Sequence, residues 1–252
     1  MPTSRRLRAV ITNDDGIESP GLWALAAAAR EAGFEVTVAA PHVDASGVGT
    51  SVIPVRDADG HVRLHRRDRD GITGYAVEGP PAFIVRAAAR GWLETPDVVL
   101  SGINVGANTG DAVLHSGTVA AALTAGLCGH RALAVSLTRA WRAPEPPHWE
   151  AATAVLPEVL DTLLAAPAAT VLSLNVPDLP VADLGPLREA TLAGYGRIRA
   201  TVTERDERLR ADYVGPGADP DPGSDVALLG AGHPTLTGLT AVTATPGLLT
   251  GS

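Results

Sequence analysis

The 252-residue chain contains a single cysteine, Cys128, so it can form no intrachain disulfide and no thiolate zinc cluster. Aromatic residues are few: four Trp, three Tyr and two Phe. A core must therefore rest on Ala, Val and Leu, and 45% hydrophobic residues suffice for one well-packed domain. Positive charge is not in excess. Twenty Lys and Arg against 28 Asp and Glu leave a formal −8, which argues against a nucleic-acid partner, since phosphate-backbone contacts need a basic footprint. A small phosphorylated substrate remains compatible with that sign, because a bound cation reverses it locally. Long apolar runs are also missing. Glu158 and Asp161 interrupt the longest Ala/Leu/Val-rich stretch, so no membrane association is expected. The N-terminal stretch reaches Asp14 and Asp15 before any apolar segment of signal-peptide length, and a cytoplasmic protein is expected.

What is present reads as alternating strands and helices. Leu7 to Thr12 is a short apolar strand entering Asn13-Asp14-Asp15-Gly16. Pro20 opens an Ala-rich helix that Gly33 ends, and Val36 to Ala40 is a second strand closed by Pro41, which together make a βαβ unit. Val52 to Val55, Val62 to Leu64 and Tyr75 to Val77 are short strand candidates, with the charged run Arg66 to Asp70 as a solvated edge. A helix runs from Pro81 to about Trp92. Asp97 to Ser101 is a strand feeding the Gly/Asn-rich loop 102–111, and a helix follows over Thr118 to Ala125. Ala132 to Leu137, the helix Trp149 to Leu164 with Pro157 inside it, and Val171 to Leu174 continue the alternation. Beyond Pro177, Ile198 to Thr203 and Leu209 to Tyr213 read as a hairpin, Pro216 to Gly223 as a loop, Asp225 to Leu229 as a short helix and Leu236 to Thr243 as a strand. The expectation is a single three-layer, Rossmann-like α/β domain over 1–252 with a mostly parallel sheet. It carries a β-hairpin extension in the C-terminal third.

Open parallel sheets bind ligands beyond the carboxyl ends of their strands. Here those ends carry Asn13 to Gly16, Pro41 to Gly47, Ser101 to Asp111 and Asn175. Asp14 and Asp15 are adjacent carboxylates. They read either as ligands of a hard divalent cation, which relieves their repulsion, or as an Asx turn or helix cap. Ser46 and Asn104 offer further oxygens on neighbouring loops. His115-Ser116-Gly117-Thr118 stands just before a helix and reads as a phosphate cradle or as plain N-capping, with His115 either a hydrogen-bond or proton donor to a leaving oxygen or a solvated histidine. Other signatures are missing. Gly102, Gly106 and Gly110 do not form GxGxxG, and neither a Walker loop nor a GxSxG elbow occurs.

Taken in order, Ile11-Thr12-Asn13-Asp14-Asp15-Gly16-Ile17, Val38 to Pro41 with Ser46-Gly47, Ser101 to Asp111, Ser116-Gly117-Thr118-Val119 and Leu174-Asn175-Val176 resemble the survival protein SurE family of metal-dependent nucleotidases. That resemblance implies hydrolysis of nucleoside 5'- or 3'-monophosphates, with one divalent cation per subunit, Mg²⁺ or Mn²⁺. The implied metal ligands are Asp14, Asp15, Ser46 and Asn104. The phosphate would be met by Asn13, Asn104, Asn108, Ser116, Gly117 and Thr118, and the chemistry carried by Asp14, Asp15 and His115. It further implies a homodimer or tetramer joined through an arm at about 196–215, with a terminal tail shorter than the family's. The segment Gly79 to Val85 departs from the family's Gly-Thr/Ser-Pro-Ala-Asp-Cys-Val pattern at Pro80 and Phe83, and His115 stands where a tyrosine is usual. These departures keep two other readings in view: a phosphatase specialised for a small metabolite, and a nucleotide- or phosphate-binding regulator without turnover.

Overall fold

A computed structural model of the chain describes residues 5–139, 146–194, 199–205, 208–214 and 220–244. In chain order its elements are β1 (Arg8–Thr12), α1 (Pro20–Glu31), β2 (Glu35–Pro41), β3 (Leu64–Arg66), β4 (Thr73–Val77), α2 (Pro81–Ala87) and β5 (Val98–Val105). There follow α3 (Gly117–Leu127), β6 (Arg131–Thr138), α4 (Trp149–Ala165), β7 (Val171–Pro177), β8 (Arg188–Glu189), β9 (Arg199–Arg205), β10 (Arg208–Val214), α5 (Asp225–Gly230) and β11 (Thr235–Leu239). Nine strands form one sheet in the order β3-β4-β2-β1-β5-β6-β7-β11-β8, parallel from β4 to β7. β3 and β11 pair antiparallel with β4 and β7, and β9 with β10 forms a separate two-stranded sheet.

Strand order dictates where a ligand belongs. From β1 the chain builds outward through β2 and β4, then returns to the far side of β1 and builds the other way through β5, β6 and β7. The reversal leaves a crevice between the carboxyl ends of β1 and β5, the topological switch point at which such sheets bind ligands. Thr12 pairs with Ser101 there, so the Asn13 and Gly102 loops leave the sheet side by side.

Alternation along the buried strands serves two cores. Val98, Leu100, Leu133 and Val135 face the side covered by α1 and α4, where Leu22, Leu25, Leu156, Leu160 and Leu163 pack. Val99, Ala132 and Ala134 face the other side, where α3 presents Val119, Ala121, Ala122 and Ala125. The small residues bring α3 close to the sheet: a Cβ at Gly126 would lie 2.4 Å from Val171 Cγ2. Leu100 is wholly buried in the larger core. Leu100→Ala is expected to lower stability by about 2–5 kcal/mol, read from the urea midpoint. A loss under 1 kcal/mol would contradict the packing.

Several expectations need correction. Val52 to Val55 is not a strand; its one recorded backbone bond runs from Val55 N to Glu78 O. The edge strand begins at Leu64 rather than at Val62. The α2 segment ends at Ala87 and passes into a wider turn, Ala88–Trp92, where Gly91 takes φ +95°. β5 does not stop at Ser101. It continues to Val105 across a register shift between Ser101 and Asn104, because Gly102 at φ +138° lies so close to β6 that a Cβ would be 2.3 Å from Val135 O. A 3-10 turn, Gly110–His115, precedes α3, and α4 runs through Pro157 without division. The hairpin is present, but Ile198 and the first half of Pro216 to Gly223 lie outside the described residues, as does the tail beyond 244. β11 ends at Leu239 rather than Thr243.

Candidate active site

Short backbone bonds stitch the loops at the crevice. Asn13 is fully buried, and its side chain both donates to Gly16 O (3.1 Å) and accepts from Gly16 N (3.2 Å). The structure thus uses Asn13 to fold the turn, and the side chain expected at the phosphate is committed within the loop. Ile17 N donates to Pro41 O and Ala45 N donates to Asp14 O at 2.7 Å, which carries the Ser46 loop against the two aspartates.

Asp14 is buried and turned toward the start of α3. The Thr118 hydroxyl donates to its Oδ1, and Gly117 leaves so little space that a Cβ there would stand 2.7 Å from Asp14 Cβ and Oδ2. Burial pushes the Asp14 carboxyl up, while the Thr118 hydroxyl and the nearby amides of Thr118 and Gly117 pull it back. Ser116 caps α3 by accepting from Val119 N at 3.1 Å. Within the expected phosphate cradle, the Thr118 hydroxyl proton therefore goes to Asp14, whereas Ser116 accepts from its own helix and keeps its hydroxyl proton to donate.

Asp15 is different. Its Oδ2 is buried without a hydrogen-bond partner. Burial, then the charges of Asp14 and Asp44, push its carboxyl up to about 7. A partly buried carboxylate with two like charges nearby and an unengaged oxygen fits a cation. Asn104 and Ser46, the other two residues of the expected set, keep acceptor oxygens. Asn104 donates from Nδ2 to Gly106 O at 2.8 Å, which leaves Oδ1 as the acceptor not used in that bond. Ser46 Oγ donates to Asp44 Oδ1 at 2.6 Å, keeping its lone pairs for another partner. An all-oxygen set of this kind suits a hard divalent cation.

Asp44 had no role assigned from sequence, although it lies within the Ser46 segment; only the fold shows that it holds Ser46 through both N–H and hydroxyl. Asn175 likewise gains a function. It accepts from Asn108 N (2.9 Å) and donates to Asn108 O (3.0 Å), while Asn108 Nδ2 donates to Ser136 Oγ (2.8 Å). The Asn108 loop is thus tied down to β6 and β7. His115 is exposed at the end of the 3-10 turn, and Gly49 from the Ser46 loop lies beside it. At the ends of β6 and β7, Asp178 pairs with Arg139 and accepts from His148 N (2.8 Å), with His148 Nδ1 at 2.9 Å. Burial raises the Asp178 carboxyl, but the His148 and Arg139 contacts outweigh it and hold it below its ordinary value. Asp57, Asp59 and His61 also bring ligand atoms within 4.8 Å of one another, in a turn where Asp57 accepts from the amides of both other residues.

An open, mostly parallel α/β sheet with two adjacent aspartates at the carboxyl end of β1, beside its switch point, defines the class: an α/β protein of the kind that binds ligands at that crevice. The chain belongs to the survival protein SurE family, whose model matches residues 9–198. It is 38% identical over 238 residues to the 5'-nucleotidase SurE of Stenotrophomonas maltophilia, spanning 92% of this chain and 88% of that one. The 5'-nucleotidase SurE of Xanthomonas campestris pv. campestris matches with the same identity and coverage. The crystal structure of the SurE protein from Aquifex aeolicus superposes with a TM-score of 0.74, at 26% identity and 92% coverage of each chain. Nucleotidases of this family are metal-dependent. Among the described residues, no helix is long and apolar enough to cross a membrane.

Proposed function

We propose that this chain is a metal-dependent phosphomonoesterase that hydrolyses nucleoside 5'- or 3'-monophosphates to nucleoside and phosphate. Family membership supports the reaction class, and the observation that carries the site is the unengaged, buried Asp15 Oδ2 beside an Asp14 fixed by Thr118. Asp14, Asp15, Ser46 and Asn104 would hold one Mg²⁺ or Mn²⁺ ion. When bound, such an ion polarises a phosphoryl oxygen and acidifies an attacking water.

The protein's own groups do the rest. Thr118 and the start of α3 hold Asp14 in place, and the positive helix end favours anionic groups there. Asp15, the carboxylate not engaged by α3, orients the water and takes its proton as the new P–O bond forms. His115 returns a proton to the nucleoside oxygen as the ester P–O bond breaks. Gly117 admits the close approach that a larger residue would block. The β9–β10 hairpin serves as the arm of a homodimer, with pairing of dimers giving a tetramer, and the enzyme works in the cytoplasm without nucleic-acid or membrane partners.

A second reading, a phosphatase for one small metabolite, draws on α2. Its start is occupied by Pro80 and by Phe83, whose ring lies close against Gly79, so apolar groups stand where the family's polar ones are usual. A panel of nucleoside monophosphates and other metabolite phosphates, assayed for phosphate release with Mg²⁺, Mn²⁺ or chelator, tests both. Chelator-sensitive turnover of several nucleotides is expected. Turnover of a single non-nucleotide ester would favour the second reading, and binding without release would overturn both.

A further inference from the structure

Asp225 is a buried carboxylate far from the crevice in sequence, with side-chain bonds to two distant segments and to its own helix. Its Oδ2 accepts from Gly110 N at 2.8 Å, and its Oδ1 accepts from Ala193 N at 3.0 Å and Val226 N at 2.8 Å. Gly110 opens the 3-10 turn that runs directly into Ser116 and Thr118. Ala193 and Asp225 stand on either side of the segment that carries β9 and β10. The same two strands of chain are joined again where Thr191 N meets Gly223 O (3.2 Å) and Asp225 N meets Thr191 O (2.8 Å). One oxygen therefore closes the roots of the hairpin, and the other fixes the loop that sets α3 against Asp14.

We infer that Asp225 is a positioning residue: it fixes the 110–118 segment of the active site to the roots of the β9–β10 hairpin. The inference rests on the proposed phosphomonoesterase site for its catalytic consequence, though its structural content stands apart from it. An ionised carboxylate suits the task because it accepts on both oxygens and its bonds to N–H groups are charge-assisted. Asparagine is nearly the same shape but accepts on one oxygen only. The orientation that keeps two bonds retains Ala193 and Val226 and sets an N–H₂ group against Gly110 N–H, so Asp225→Asn releases the active-site end selectively.

The test compares Asp225→Asn with Ser224→Ala, which removes the α5 cap on Ala227 N and leaves Gly110 untouched. In Asp225→Asn, hydrogen exchange over 110–118 is expected to quicken at least about tenfold while 188–193 and 226–230 keep their protection. With Mn²⁺ present, kcat is expected to fall about 10–100-fold, as when support of a metal site is lost, with KM changing less. Ser224→Ala is expected to leave exchange over 110–118 and kcat as in the parent. Unchanged exchange over 110–118 in Asp225→Asn, or the same quickening in Ser224→Ala, would overturn the inference. Should Asp225→Asn not fold, the parent protein decides. Gly110 and Ala193 amides, held by one carboxylate, are expected to exchange within about tenfold of each other, and a gap beyond about a hundredfold overturns the link. A parent without turnover would count against the phosphomonoesterase reading, while the exchange result would still decide the link.

Discussion

Asp15→Asn is expected to lower chelator-sensitive phosphate release by about 10²–10³ and at the same time to raise the melting temperature measured with chelator. The activity loss follows from the proposed cation's role. Polarisation of a phosphoryl oxygen contributes several kcal/mol, and each ~1.4 kcal/mol is tenfold in rate, so a fall of about 10²–10³ is expected. Stability moves the other way because Asp15 carries an unengaged, buried oxygen and sits under the charges of Asp14 and Asp44. Replacing it with a neutral group of the same shape removes that repulsion. Opposed changes in activity and stability distinguish a functional carboxylate from a structural one. A variant that keeps its turnover, or one that melts lower in chelator, would sink the assignment.

The second large effect separates two glycines on one helix. Gly117→Ala would put a methyl group 2.7 Å from Asp14 Cβ and Oδ2, whereas Gly126→Ala would put one 2.4 Å from Val171 Cγ2, in the core away from the crevice. Alanine favours a helix over glycine by up to about 1 kcal/mol, which offsets part of the overpacking in both. Each is still expected to cost about 1–3 kcal/mol in urea unfolding. Only Gly117→Ala displaces Asp14, so only that variant is expected to lose turnover, by about a hundredfold. Equal activity losses in the two variants would show that general loosening of α3, rather than the approach to Asp14, is responsible.

The β1-α1-β2 unit was legible because its punctuation is local: Pro20 at the first helical turn, Gly33 past the last, Pro41 at the close of β2. The same holds for the carboxyl ends of β1 and β2, where the polar segments after Thr12 and Pro41 mark the strand ends. What escaped depends on partners distant in sequence or on backbone freedom that composition does not display. Val52 to Val55 has a strand's composition, but Pro54 has no N–H to give a ladder and the recorded bond to a neighbour is the single one from Val55 N to Glu78 O. The extension of β5 past Ser101 requires the positive φ of Gly102 against Val135, and Gly102 alone reads as the start of a loop. Ser116 and Thr118 read equally as phosphate donors or caps until Asp14, 104 residues away from Thr118, takes the hydroxyl. Asp225 reads as the first residue of a short helix, and nothing near it in sequence announces Gly110.

The two outermost strands of the large sheet bear on how copies of this chain can meet. β3 has three residues and β8 has two, with Arg66 and Arg188 among them. Edges so short and so charged are poor templates for strand addition, which protects against runaway edge-to-edge stacking. Growth of the sheet from either side is thus disfavoured. The seven-residue strands β9 and β10, paired among the described residues only with each other, retain outward-facing ladder positions over a longer run. If strands of two copies align at all, the hairpin is the place with enough length to specify a register.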